Sequence, residues 1–167
     1  SVPDYPKKGI LFRDITTLIK NKDAFRECID QMSKILSKLN YDKIAAIESR
    51  GFIFASPLSY NLSKPNILMR KENKLPAEKY SMDFKLEYGN ATLEIHKDSI
   101  NPKEKIIIVD DLIATGGTSE AAAKLVEKCG GEIAGFIFVI NLFDLGGKKL
   151  LEKKGYKTFA LIDFPGH

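Results

Sequence analysis

The 167-residue chain has no apolar run long enough to cross a bilayer, and no secretory leader is expected at its start. Both absences point away from membranes and export. Cysteine is scarce: only Cys28 and Cys129 are present. Both fall on apolar faces of helical patterns, so they read as buried free thiols that fit a reducing cytoplasm. Repeats and low-complexity segments are missing. Charge of one sign is also in short supply, since 26 Lys and Arg against 22 Asp and Glu leave a formal +4. The lysines are spread along the chain, so a basic stripe for nucleic acid is not favoured, whereas a basic pocket for a small anion needs only a few of them. Two phosphate-binding signatures are lacking as well. No G-x-G-x-x-G follows a strand, and no G-K-[ST] marks a Walker A loop. The length fits one domain over residues 1–167, with a core that needs no staples.

What is present centres on Ile106–Ala122, IIIVDDLIATGGTSEAA. Ile106 to Val109 is a β-branched apolar run, as expected of a strand buried on both faces. Asp110 and Asp111 follow where that strand should end. Ala114-Thr115-Gly116-Gly117-Thr118 makes a tight turn, and a helix is expected from Ser119, stopped by Gly130-Gly131. Gly116 and Gly117 can take backbone angles closed to other residues, so successive N–H groups can converge on one point. The helix start adds unpaired N–H groups and a positive dipole end. Hydroxyls of Thr115, Thr118 and Ser119 complete a phosphate cradle. The nearby acid pair could hold ribose hydroxyls or, through water, Mg²⁺. Together these features suggest a phosphorylated sugar. The plain alternative is a glycine-rich corner beside a solvated acidic pair.

Ser1 to Lys20 is expected to be irregular. Asp23 to Leu39 is an amphipathic helix with Phe25, Cys28, Ile29, Met32, Ile35, Leu36 and Leu39 on one face. Lys43–Ile47 is a short strand that ends in Glu48-Ser49-Arg50, and Pro57 falls early in the helix beyond it. Arg50 could grip a phosphate group bidentately or pair with Glu48 at the surface. Asn66–Met69 is a strand leading into the charged loop Arg70–Pro76, either a source of cations for a leaving anion or simply solvated. Tyr80–Ile95 reads as a hairpin turning at Tyr88-Gly89-Asn90, low enough in apolar content to serve as a lid. On residues alone Glu87 is a solvated carboxylate, and His96 a surface histidine without a partner. Strands over Ile133–Phe143 and Lys157–Phe164 flank a helix over Leu145–Lys154. Strands and helices therefore alternate, which predicts an α/β fold with a mainly parallel sheet flanked by helices. Ligands bind such sheets at the carboxyl ends of strands, where the segments at 48–50, 70–74 and 110–118 all fall.

Five motifs carry a resemblance. V-D-D-L-I-A-T-G-G-T resembles the phosphoribosyl pyrophosphate motif of the type I phosphoribosyltransferases. F-R-D-I-T after P-x-x-G-I-L is similar to the base-binding segment of the adenine-specific members. E-S-R-G-F resembles the diphosphate loop, with Glu48 where Asp is common. R-K-x-x-K-L-P and S-x-x-x-x-L-E-Y-G match the family's cation loop and catalytic flap. The resemblance implies an N-terminal hood over residues 1–20, a β-hairpin flap over 71–96, and purine salvage: transfer of a phosphoribosyl group from 5-phospho-α-D-ribose 1-diphosphate (PRPP) to adenine, giving AMP and diphosphate. It further implies Leu11, Phe12, Arg13 and Leu112 about the base, and Ala114, Thr115, Gly116, Gly117 and Thr118 about the 5′-phosphate. Glu48, Ser49, Arg50, Arg70, Lys71, Lys74 and Tyr88 fall to the diphosphate. Asp110, Asp111, Arg50 and Glu87 take the catalytic roles, with Glu87 managing the purine proton. The peptide before Ser49 is expected to be cis, Mg²⁺ to ride on the substrate rather than in a protein cage, and the chain to form a homodimer. Two alternatives stay open: transfer to another base, such as guanine, xanthine or orotate, and a non-enzymatic regulator that senses PRPP while binding nucleic acid.

Overall fold

A computed structural model describes residues 1–86 and 89–167. Its elements run β1 (Val2–Pro3), β2 (Leu11–Phe12), α1 (Thr16–Lys20), α2 (Lys22–Leu36), β3 (Lys43–Ile47), α3 (Arg50–Leu62) and β4 (Asn66–Lys71). They continue with β5 (Lys79–Leu86), β6 (Gly89–His96), β7 (Lys105–Ile113), α4 (Gly117–Lys128), β8 (Glu132–Leu142), α5 (Gly147–Lys153) and β9 (Thr158–Phe164). A seven-stranded sheet in the order β5-β6-β4-β3-β7-β8-β9 forms the scaffold. The five strands from β4 to β9 are parallel, while β6 and β5 join antiparallel at one edge. The fold is thus the α/β class expected from the alternation of elements.

The order places the site. From β3 the chain crosses to β4 on one side, and β7 lies on the other. The crossovers diverge at the β3–β7 pair, so a crevice opens between the loops that leave their carboxyl ends. Alternate residues of β7 serve two cores. Ile107 and Val109 pack with Met32, Leu36, Phe54 and Leu58 under α2 and α3. Ile106, Ile108 and Ile113 pack with Ala122, Leu125, Phe136 and Leu151 under α4 and α5.

Several boundaries depart from the sequence expectation. Strand β7 does not stop at Val109 but carries Asp110 and Asp111 inside it, because β8 keeps pairing alongside as far as Ile113↔Asn141. Helix α4 starts at Gly117 rather than Ser119, with Gly116 in a left-handed conformation at φ 94° and the Glu120 N–H bonded to its carbonyl. Helix α2 closes at Leu36. Lys38 and Leu39 then donate to Ile35 and Leu36, three residues back, so the apolar spacing outlives the α-helix in a tighter turn. Pro57 sits in the middle of α3, not near its start. The first twenty residues are more ordered than expected. β1 and β2 pair as Val2↔Phe12 and Pro3↔Leu11, and the Asp14 carboxylate takes both the N–H and the hydroxyl of Thr16 as α1 begins.

Candidate active site

At the end of β7 the backbone is confined on two sides. A side chain on Gly116 would come 3.2 Å from the Gly147 Cα, and one on Gly117 would come 2.7 Å from the Lys85 carbonyl oxygen. The turn at 114–118 is therefore wedged between α5 and the first arm of the hairpin. Gly147 N–H donates to the Ala114 carbonyl at 2.9 Å and fixes its near side. The first N–H groups of α4 have no partner within the helix and are suited to an anion.

Both acids of the pair meet the start of α3, Asp111 at Arg50 and Asp110 at Gly51. Asp111 is 3 % exposed and its Oδ2 lies 2.7 Å from Arg50 Nε. Asp110 Oδ1 accepts the Asp111 N–H at 2.8 Å. Burial, then the charge of Asp111, push the Asp110 carboxyl well above the usual carboxylate range. Helix α3 starts hard against this strand: a side chain on Gly51 would stand 2.9 Å from the Val109 carbonyl oxygen and 3.2 Å from Asp110 Oδ1.

Arg50 also reaches the hood. Its guanidinium carbon lies 5.3 Å from the centre of the Phe12 ring, and Tyr5 meets that ring edge-on at 5.1 Å. The surface pairing of Arg50 with Glu48 does not form. Instead Glu48, its side chain 6 % exposed, takes Lys74 Nζ at 2.7 Å and Arg70 Nη2 at 3.3 Å, with the Lys71 N–H on its other oxygen at 2.7 Å. Burial alone would raise the Glu48 carboxyl, but hydrogen bonds from Lys74, the Lys71 N–H and Arg70 hold it at about 2. The Glu48–Ser49 peptide is cis, as the resemblance implies.

The remaining residues singled out from the sequence divide. Leu11 and Phe12 are half-buried in β2. The Arg13 side chain points away from the crevice: its guanidinium stacks 5.0 Å over the Phe164 ring and donates to the Pro165 carbonyl at 2.8 Å, which leaves its backbone to meet a ligand. Leu112 is half-buried and packs into the core beneath the hood, with Ala114 and Phe164. The Lys71 side chain is exposed. Glu87 and Tyr88 lie outside the described residues. Cys28 is buried, Cys129 half-buried, and both are free. His96 is not a bare surface group, since its Nε2 accepts the Ala77 N–H at 3.3 Å. The sequence reading missed Glu94. At 2 % exposure it bonds Asn73 and Ser81, and the only trace of it in the sequence is a carboxylate set between Leu93 and Ile95. Among the described residues no group of three or more His, Cys, Asp or Glu is placed to hold a metal.

A mostly parallel sheet with a glycine cradle after one central strand, an Arg-bearing loop after its neighbour and a hairpin at the edge defines the class of the type I phosphoribosyltransferases. Residues 14–166 match the family described as phosphoribosyl transferase domain. The chain is 66 % identical to the adenine phosphoribosyltransferase of Pelagibacter ubique, across 100 % of this chain and 95 % of that protein. It is 50 % identical to that of Agathobacter rectalis, across 99 % and 94 %. Among solved structures, the adenine phosphoribosyltransferase of Thermoanaerobacter pseudethanolicus superposes with a TM-score of 0.92 at 48 % identity, covering 98 % of this chain and 94 % of that one. The Giardia lamblia enzyme complexed with 9-deazaadenine gives 0.93 at 29 % identity, over 98 % and 92 %. The chain belongs to the phosphoribosyltransferase family, in its adenine phosphoribosyltransferase branch.

Proposed function

We infer that the protein transfers the 5-phosphoribosyl group of PRPP to adenine, producing AMP and diphosphate in purine salvage. One observation carries this reading: the contacts Phe12–Arg50–Asp111 join the hood, the loop after β3 and the end of β7 in a single crevice. An aromatic face for a base, a cation for a diphosphate and a carboxylate for a sugar then stand in sequence along it.

In this reading the backbone of 114–118, with the hydroxyls of Thr115 and Thr118, anchors the 5′-phosphate. Asp110 and Asp111 hold the ribose hydroxyls. Asp111 is paired with Arg50, while Asp110 retains a proton to higher pH than an ordinary carboxyl and so can donate to a hydroxyl oxygen. The bond from the anomeric carbon to the diphosphate oxygen breaks as adenine N9 attacks, through an oxocarbenium-like transition state that the carboxylate of Asp111 stabilises. Arg50, Lys71 and Lys74 receive the departing diphosphate, with Ser49 and Tyr88 lining its path. Phe12 and Leu112 sandwich the base, the backbone at Leu11–Arg13 reads its edge, and Glu87 takes the purine proton. The donor set suits Mg²⁺ carried on substrate oxygens, because Asp111 is already shared with Arg50 and Glu48 with Arg70 and Lys74. When bound, the ion supplies charge neutralisation for the diphosphate. The flap arm beside Gly117 excludes water that would hydrolyse the donor.

Incubating the protein with PRPP, Mg²⁺ and one base at a time tests the reading. AMP from adenine, with little product from guanine, xanthine or orotate, is the expected outcome, and removing Mg²⁺ with a chelator should stop it. Equal turnover of another base would move the assignment within the family, and no turnover of any base would favour a regulator. A cytoplasmic homodimer belongs to the same proposal. Light scattering that reads one chain mass at working concentration would count against the dimer.

A further inference from the structure

Glu94 lies in β6 with 2 % of its surface exposed. An ionised carboxylate at that depth is costly unless hydrogen bonds serve it. Its Oε1 accepts the backbone N–H of Asn73 at 2.6 Å. Its Oε2 accepts the Ser81 hydroxyl at 2.7 Å and faces Lys79 Nζ at 3.9 Å. These partners belong to two parts of the site. Asn73 sits in the loop that carries Lys71 and Lys74, whereas Ser81 and Lys79 begin the first arm of the flap. Across the sheet, Glu94 is in register with Arg70 on one side and Ser81 on the other. Asn73 turns the loop in a left-handed conformation at φ 63°, which Asn tolerates better than most residues.

The loop is therefore gripped twice within three residues. Glu48 Oε2 takes the Lys71 N–H from the tip of β3, and Glu94 Oε1 takes the Asn73 N–H from the flap side. Glu48 also meets the cationic side chains, while the Glu94 contacts to this loop are to its backbone.

We propose that Glu94 is a positioning residue for the leaving diphosphate: it fixes the backbone of the Arg70–Lys74 loop against the base of the flap, so that the cations are in place before substrate arrives. The proposal rests on the transfer reaction inferred above. A loop already ordered loses less freedom when an anion binds, and that difference appears as affinity for the ligand that uses the loop. The effect is selective. PRPP and diphosphate depend on the loop, whereas adenine sits against Phe12 on the other side of the crevice.

The test uses Glu94→Ala and Ser81→Ala in the whole protein. PRPP and adenine are varied separately, diphosphate is added as inhibitor, and amide hydrogen exchange is followed over residues 71–74. Glu94→Ala should raise the KM for PRPP and the inhibition constant for diphosphate about tenfold, and leave the KM for adenine within about twofold. Exchange at Asn73 should quicken in the variant and slow again when diphosphate is added. Ser81→Ala removes one bond with less disturbance and should show the same split at smaller size, so it decides the matter if Glu94→Ala does not fold. Equal rises in both KM values, or an unmoved PRPP KM with unmoved exchange, overturn the proposal. If the unmodified protein makes no AMP at all, the transfer reading fails by itself, and the exchange and diphosphate-binding measurements still decide the role of Glu94.

Discussion

At Glu48, burial opposes the charge and three hydrogen bonds restore it, with the balance leaving the carboxyl at about 2 against an ordinary 4.5. The sign of the linkage follows. A carboxyl with a lowered folded pKa binds fewer protons in the native state than in the unfolded chain. Its stabilising contribution is complete above pH 4.5 and is lost as pH falls toward about 2. The melting temperature of the native protein should therefore drop across that interval more steeply than that of Glu48→Gln, which has no such carboxyl to protonate. Parallel melting curves for the two proteins would remove Glu48 from the account. Both thiols, by contrast, are pushed up by burial, Cys28 to about 11, so neither is a ready nucleophile at neutral pH.

Among the elements, β5 and the start of α4 fit closely against each other. The Gly117→Ala change places a methyl group 2.7 Å from the Lys85 carbonyl oxygen, and the opposing atom is backbone rather than a pliable side-chain end. Either the hairpin arm or the phosphate turn must shift. kcat/KM for PRPP should fall by about tenfold or more, since displacing a positioned group by about an ångström costs this much or more. Circular dichroism should show the fold intact, because the clash lies at the sheet edge and not in either core. Wild-type kinetics in Gly117→Ala would mean that the flap does not seat against this turn during turnover.

The elements also show where the sequence was readable. The run from Ile106 to Val109 and the amphipathic face of α2 declare themselves through local spacing, and both are found. The end of β7 does not, because its last residues are held as strand by β8, a partner distant in sequence. Glu94 is hidden for a related reason. Alternation along a hairpin assigns a polar residue to the outer face, but the loop at 71–76 folds back to give it a bond from Asn73. A contact supplied by a remote segment leaves no periodic trace. The acid pair was legible as chemistry but not as geometry, since its neighbours Arg50 and Gly51 come from α3, a segment remote in sequence.

For the molecule as a whole, the crevice draws on segments from opposite ends of the chain. Phe12 reaches it from the hood, and the hood is tied to the last strand through Arg13, which stacks on Phe164 and bonds the Pro165 carbonyl. Without that guanidinium the hood keeps its small hairpin but loses this tie to the last strand. Arg13→Ala is accordingly expected to raise the KM for adenine several-fold, in line with the loss of a charged hydrogen bond, and to leave the KM for PRPP nearly unchanged. Equal changes in both would place Arg13 in general stability instead. The divergence of crossovers at β3 and β7 explains why motifs scattered over the sequence meet in one place. The motifs could be read one by one, but their spacing in three dimensions is set by the strand order.

The partners of Glu48 also bear on how the reaction ends. Lys74 and Arg70 already hold a resident carboxylate, so an arriving diphosphate must compete with a counter-ion built into the protein. Such a competitor weakens the grip on the product and hastens its escape, at some expense in ground-state affinity. Glu48→Gln keeps an oxygen for the Lys71 N–H but removes the rival charge. Diphosphate should then inhibit that variant at lower concentration and leave it more slowly, making turnover limited by release of the anion rather than by bond-breaking at the sugar.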